Sequence, residues 1–329
     1  MFLAAMVLCL PSAPAAAGDN VGVISHLQSD RIRESSGLAI SAKFPDMAYT
    51  INDSNNKAIV WAIKISTGDV VGKADYSKFH TEDPESIYVD PNGNMWVADL
   101  GDNHSDRDNV SILSFPEPGP GSHKITKALH FPVKYAGGPI NSEALLVNPV
   151  SGRVFIASKN TEGGAGTIYA LPDPLRPGEK NVAKDLGVRI PTSVTDGTFT
   201  PDGKLVYLRT YPSVWIVDPR SWNMLRQMPG PTMLRKGESL ALERDDKTLL
   251  LGSEGAHSPL IWLSTPSDPA TDLIPGELDE HGNPVPVSQA RTSVMQIFLR
   301  HPLRWGGGAV VGLVLLIAIA GASRRRRRR

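Results

Sequence analysis

A unit of acid, small residue, apolar strand, turn and second apolar strand recurs along this chain, and it constrains the fold more than any other feature. Its clearest copy runs from Glu85 to Asn103, ESIYVDPNGNMWVADLGDN. Ser86–Val89 and Met95–Ala98 are rich in β-formers. Asp90-Pro91-Asn92-Gly93 between them is turn chemistry, since proline presets φ and Asn and Gly tolerate positive φ. Further copies lead with Glu34 (ESSGLAIS, returning as MAYTINDSNN), Glu143 (EALLV, RVFIASKN), Asp196 (DGTFT, LVYLRTY) and Glu238 (ESLALER, TLLLGSEG). The lead acids are spaced by 51, 58, 53 and 42 residues.

Each copy continues into a third strand: AIVWAIKIS, VSILSFPEP, GTIYALPDP, SVWIVDP and PLIWLS. A weaker fourth strand follows in all copies but the last, which ends at Ser264. The orphan strand VGVISHL near the N-terminus could supply it. Four-stranded units repeating every 40–60 residues are the signature of a β-propeller. The expected fold is therefore all-β, a propeller of five blades by preference or six, closed by the N-terminal strand. A sandwich of many short strands is the competing architecture.

The ends give an address. Residues 1–17 read as a secretory signal peptide, with an apolar run Phe2–Leu10 and an Ala-x-Ala site at Ala15–Ala17, although no basic residue precedes Arg31. Cys9 is the single cysteine and falls in that segment, so residues 18 onward carry no disulfide, no Cys nucleophile and no Cys-ligated metal. Residues 18–264 are expected to form the extracellular propeller. Residues 265–304, proline-rich and acidic before a basic apolar stretch, read as a stalk and juxtamembrane segment. Residues 305–323 are nineteen uncharged residues, close to the ~20 needed to span a bilayer. Six arginines, 324–329, follow and would stay cytoplasmic, giving a single pass with the N-terminal domain outside. All 34 acids but only 28 of the 34 bases precede that tail, leaving the outer part at −6. An acidic surface argues against nucleic acid as a partner and is compatible with cations.

In a propeller the first strand of each blade lines the channel. The lead acids Glu34, Glu85, Glu143, Asp196 and Glu238 would then form a ring at one mouth, where like charges need protons, bases or a cation. Asp99 and Asp102 in the loop after the second strand add oxygens near the same level. Oxygen-only clusters suit Ca2+ or Mg2+ rather than zinc. The other reading is that these acids cap strand ends. Asp53, Asn103, His104, Lys159, Arg209 and Glu254 complete the candidate ligand-binding mouth, with Lys159 and Arg209 as possible counter-charges. There is no G-x-S-x-G elbow, P-loop, H-E-x-x-H or dinucleotide fingerprint.

The copies ESSGLAIS and PESIYVDPNGNMWVADLGDN resemble bacterial secreted propellers of the WD40-like kind, and within them proteins with a phytase-like ("esterase-like activity of phytase") domain, over about residues 34–264. The resemblance implies a channel holding Ca2+ and a phosphate- or ester-bearing ligand. No set of Lys and Arg phosphate clamps surrounds the acids here, and no catalytic residue is carried over. Without a nucleophile motif, the sequence favours a membrane-anchored module that binds an extracellular or cell-wall ligand. The alternative is a Ca2+-dependent phosphoesterase or lactonase.

Overall fold

The computed structural model describes residues 20–53, 56–160, 164–234 and 236–267. The expected signal peptide, the membrane span, the arginine tail and nearly all of the stalk lie outside the described residues. Among those described, no helix is long and apolar enough to cross a membrane.

Regular structure is β throughout, apart from a short 3-10 turn at Ser77–Phe79. Strand β1 (Val21–His26) comes first. It is followed by an antiparallel run β2 (Ser35–Ile40), β3 (Met47–Asn52), β4 (Ile59–Lys64) and β5 (Val70–Asp75). The next run is β6 (Pro84–Val89), β7 (Asn94–Asp99) and β8 (Val110–Pro116), then β9 (Gly121–Lys124) and β10 (Leu129–Tyr135). β10 completes this run against β8, while β9 lies parallel to β5 as a fifth strand of the preceding sheet. The third run is β11 (Ser142–Val147), β12 (Val154–Ser158), β13 (Ile168–Ala170) and β14 (Asn181–Asp185). The fourth is β15 (Val194–Phe199), β16 (Val206–Thr210), β17 (Ser213–Asp218) and β18 (Asn223–Pro229). The last, β19 (Ser239–Leu242), β20 (Thr248–Gly252) and β21 (Pro259–Ser264), is completed by β1, which pairs antiparallel with β21.

The innermost strands touch in the cyclic order β2, β6, β11, β15, β19 and back to β2. Each hydrophobic cluster lies between two successive runs, as where Tyr49 and Val60 meet Met95 and Phe115, and the last joins Leu250 and Leu260 to Trp61 and Ile63. Sheets stacked face to face around a closed cycle make a propeller. Inner strands such as β3 and β11 are therefore buried along their whole length, as expected for strands covered on both faces. Outer strands such as β14 alternate buried and exposed. β14 also pairs in parallel with β10, fusing two runs into an eight-stranded sheet and hiding two outer edges that would otherwise be open to aggregation. Every described strand finds its partners within residues 20–267.

Candidate functional site

The first hairpin of each run closes through an equivalent backbone bond. The N–H groups of Ser41, Asp90, Asn148, Thr200 and Glu243 donate to the carbonyls of Met47, Asn94, Arg153, Leu205 and Thr248. Five residues before each of these donors stand Ser36, Glu85, Glu143, Thr195 and Glu238. Glu85, Glu143 and Thr195 are skipped in the ladder pairing of their strands, a bulge that re-aims the side chain. Glu85, Glu143 and Glu238 thus share one place in the ring. Glu34 falls two residues early and Asp196 one residue late. A single step along a strand turns a side chain to the other face.

Asp196 accordingly faces the inner strands. Its Oδ2 accepts the Leu240 N–H at 2.8 Å, and its Oδ1 accepts from the Gly197 N–H at 2.9 Å and the Ser86 hydroxyl at 3.1 Å. It ties β15 to β19 and β6. Burial raises its pKa to about 7, against the pull of those bonds.

At the mouth, the Ser36 hydroxyl donates to Glu85 Oε2 at 3.0 Å. A Cβ on Gly101 would collide with Asp83 Oδ2 and lie 2.7 Å from Glu85 Oε1, so both carboxylates press on the bare Cα of Gly101. Burial, then Glu143, Asp83 and Asp53, hold Glu85 well above the usual carboxylate range. Glu143 grips Lys159, whose Nζ stands 2.6 Å from Oε1 and 2.7 Å from Oε2. Burial still carries Glu143 up to about 8 against that lysine. For Lys159 burial disfavours the charge, but Glu143 and Glu238 outweigh it and hold the ammonium above its ordinary range. The ammonium also sits 5.1 Å from the Tyr211 ring centre, a cation–π contact. Glu238 is pushed up by burial and by Glu254, which itself pairs with Lys236 at 2.8 Å. Half-buried Asp53 is raised to about 7, by burial first and then by Glu34, Glu254 and Asp83. Glu34 accepts from Asn56 Nδ2 at 2.5 Å.

The remaining candidates border this cluster. Asp99 Oδ1 accepts the Asp83 N–H at 2.7 Å, and its Oδ2 pairs with Arg107 at 2.9 Å. Asp102 accepts the N–H groups of Asp106 and Arg107 at 3.0 Å each. Asp102 therefore binds its own loop, a common use of short acids, and Asp99 ties that loop to the segment before β6. Asn103 accepts from Asn141 Nδ2 at 3.2 Å, and His104 is exposed. Arg209 is fully buried beneath the segment leading into β19. A Cβ on Gly237 would collide with its Nη2, and Nε and Nη2 find no partner among the described residues. Burial lowers its pKa to about 10 against Glu238 and Asp196. Asp83 is legible in the sequence through the acid run Glu82-Asp83-Pro84-Glu85 that leads into the same hairpin, whereas Ser36 and Thr195 carry no charge to mark them.

The oxygen donors at the mouth suit a hard cation in kind. Their present arrangement does not fit one, because among the described residues no group of three or more acids or histidines is set to hold a metal ion. No protein-family profile matches the sequence, and no curated protein matches it. Among solved structures, a gluconolactonase from Xanthomonas campestris is similar, at 13% identity and a TM-score of 0.40, over 70% of this chain and 72% of that one. A likeness at this level carries no argument about activity.

Proposed function

We propose that the chain is a five-bladed propeller that works as a binding module, and that its acid-lined mouth takes the cationic group of a ligand. One observation carries this reading: among the described residues Asp53, Asp83, Glu85, Glu143, Glu238 and Glu254 outnumber the bases beside them, Lys159, Lys236 and the buried Arg209, and burial holds several of these acids protonated near neutrality. A cation entering the mouth would replace those protons, so binding releases protons and strengthens as pH rises. An organic ammonium is the first candidate, since the acids need not converge on it as they must on an ion; Ca2+ is the second, matched by donors that are oxygen in kind but not arranged around it. The sequence adds the address: the signal-peptide pattern at 1–17 and the uncharged span at 305–323 support display outside a membrane.

Calorimetric titration of residues 18–267 with Ca2+, and separately with an alkyl diamine, in two buffers of different ionisation enthalpy tests the reading. Proton release on binding, lost in Glu85→Gln/Glu143→Gln, is expected. Absence of binding by both probes at millimolar concentration would sink it. A hydrolytic reading, a metal-dependent phosphoesterase or lactonase, draws on Glu143 and Asp53 titrating near neutrality, as a general acid or base must. Turnover of lactone or phosphoester substrates that Glu143→Gln abolishes would favour it over pure binding.

A further inference from the structure

The parallel seam between β10 and β14 produces a surface independent of the mouth. Lys134 stands opposite Val182 in the register. Because side chains alternate along a strand, His130 and Lys134 on β10 point the same way as Val182 and Lys184 on β14. The other parity, Phe131, Val133, Tyr135 and Ala183, fills the core between the two runs. All four outward residues are exposed, with Val182 at 39%. Lys180 and Leu186 flank the β14 row, both exposed, Leu186 at 38%. No acid occupies an outward position on either strand. Asp185 points to the opposite side, where its Oδ1 accepts from the Thr167 hydroxyl at 2.8 Å and the Gly187 N–H at 2.7 Å. A part of the chain carrying net −6 thus presents, on its outer rim, a basic face threaded with exposed aliphatic side chains.

We propose that this rim docks on an anionic lipid surface. Lysines with apolar stems and ammonium tips suit the headgroup layer, and anionic headgroups attract such residues by about 1 kcal/mol each. Exposed Val182 and Leu186 lie among the lysines, at the depth where a bilayer offers acyl chains and a soluble polyanion offers only water. The uncharged span expected at 305–323 would hold the domain beside such a surface.

Co-sedimentation of residues 18–267 with phosphatidylcholine vesicles, and with vesicles that also contain phosphatidylglycerol, tests the proposal. Binding is expected only to the anionic vesicles and falls with added salt. Lys134→Gln/Lys184→Gln should weaken it about thirtyfold, some fivefold per lysine. Val182→Ser/Leu186→Ser should also weaken it, and both pairs should melt at the wild-type temperature. Equal binding to both vesicle types, or wild-type binding by both double variants, overturns the proposal. So does tight binding to polyphosphate that depends on the lysines but not on Val182 and Leu186, which would assign the rim to a soluble polyanion.

Discussion

Stability of the propeller should fall as pH rises from about 4 to about 8, the reverse of the usual behaviour of paired carboxylates. The perturbation is pH alone. In the unfolded chain Asp and Glu titrate near 4. In the fold Asp196 is raised to about 7 and Glu143 to about 8, each by burial first. Between these limits the folded state holds more protons than the unfolded one, so stability is fully present below pH ~4 and drains away up to the folded values. One extra proton corresponds to about 1.4 kcal/mol per pH unit. Glu143 and Asp196 acting independently would give twice that. Asp196 is shifted by burial and hydrogen bonds rather than by Glu143, so a net slope of one to two protons is expected near pH 6. Asp53 adds little, since it is half exposed and its interactions are screened by water. With a urea dependence of roughly 2–3 kcal/mol per molar, the midpoint should drop by roughly 0.5–1 M per pH unit. Below pH ~4 the trend reverses as Asp202, held at about 2 by Thr200 and Lys204, takes up its proton. Urea titrations of residues 18–267 at pH 5, 6, 7 and 8 supply the assay, and Glu143→Gln should flatten the slope. A midpoint that is constant or rises over this range would refute the burial argument at its root.

Three other perturbations read different parts of the same structure. Gly237→Ala drives a methyl into the Arg209 guanidinium, which cannot move because its residue is fully buried; a loss of about 1–3 kcal/mol is expected in denaturant melts, against little change for Gly137→Ala, where no atom lies within reach and the backbone is not in the left-handed region. Lys159→Met removes the base that lowers Glu143, so the buried carboxyl should hold its proton beyond pH 8 and the fall in stability with pH should extend past that of the wild type; an unchanged pH profile would show that the pair is held by packing rather than charge. Removal of residues up to His26 deletes β1 and exposes the β21 edge, so size-exclusion chromatography should show self-association or loss of the monomer, and a stable monomer would count against closure through β1.

Architecture was legible because it is written in local patterns: turn residues such as Asp90-Pro91-Asn92-Gly93, and β-rich runs flanking them. The fourth strand of the last run was legible too, since a spare strand at one end matched a missing one at the other. The seams were not. β9 is Gly-Ser-His-Lys, exposed throughout and without β-propensity, and it exists only because the β5 edge was available to pair with it. The ring was legible in part for a related reason. Aligning the copies on their acids assumes that charge marks register, and at Glu85, Glu143 and Glu238 it does. At Glu34 and Asp196 it does not, because strand register is set by the backbone bonds of the hairpin, which are blind to charge. The donors that close those hairpins, Ser41 and Thr200, lie seven residues after Glu34 and four after Asp196, whereas each of the other donors lies five after its acid. A side chain one position off the ring faces another way, so Asp196 became a bolt between inner strands, and Ser36 and Thr195 took the places that the acids had been expected to fill. The mouth is consequently less symmetric than five equivalent acids would make it: its charge collects on the side of Glu85 and Glu143, where Asp83 joins them and Lys159 is the counter-charge.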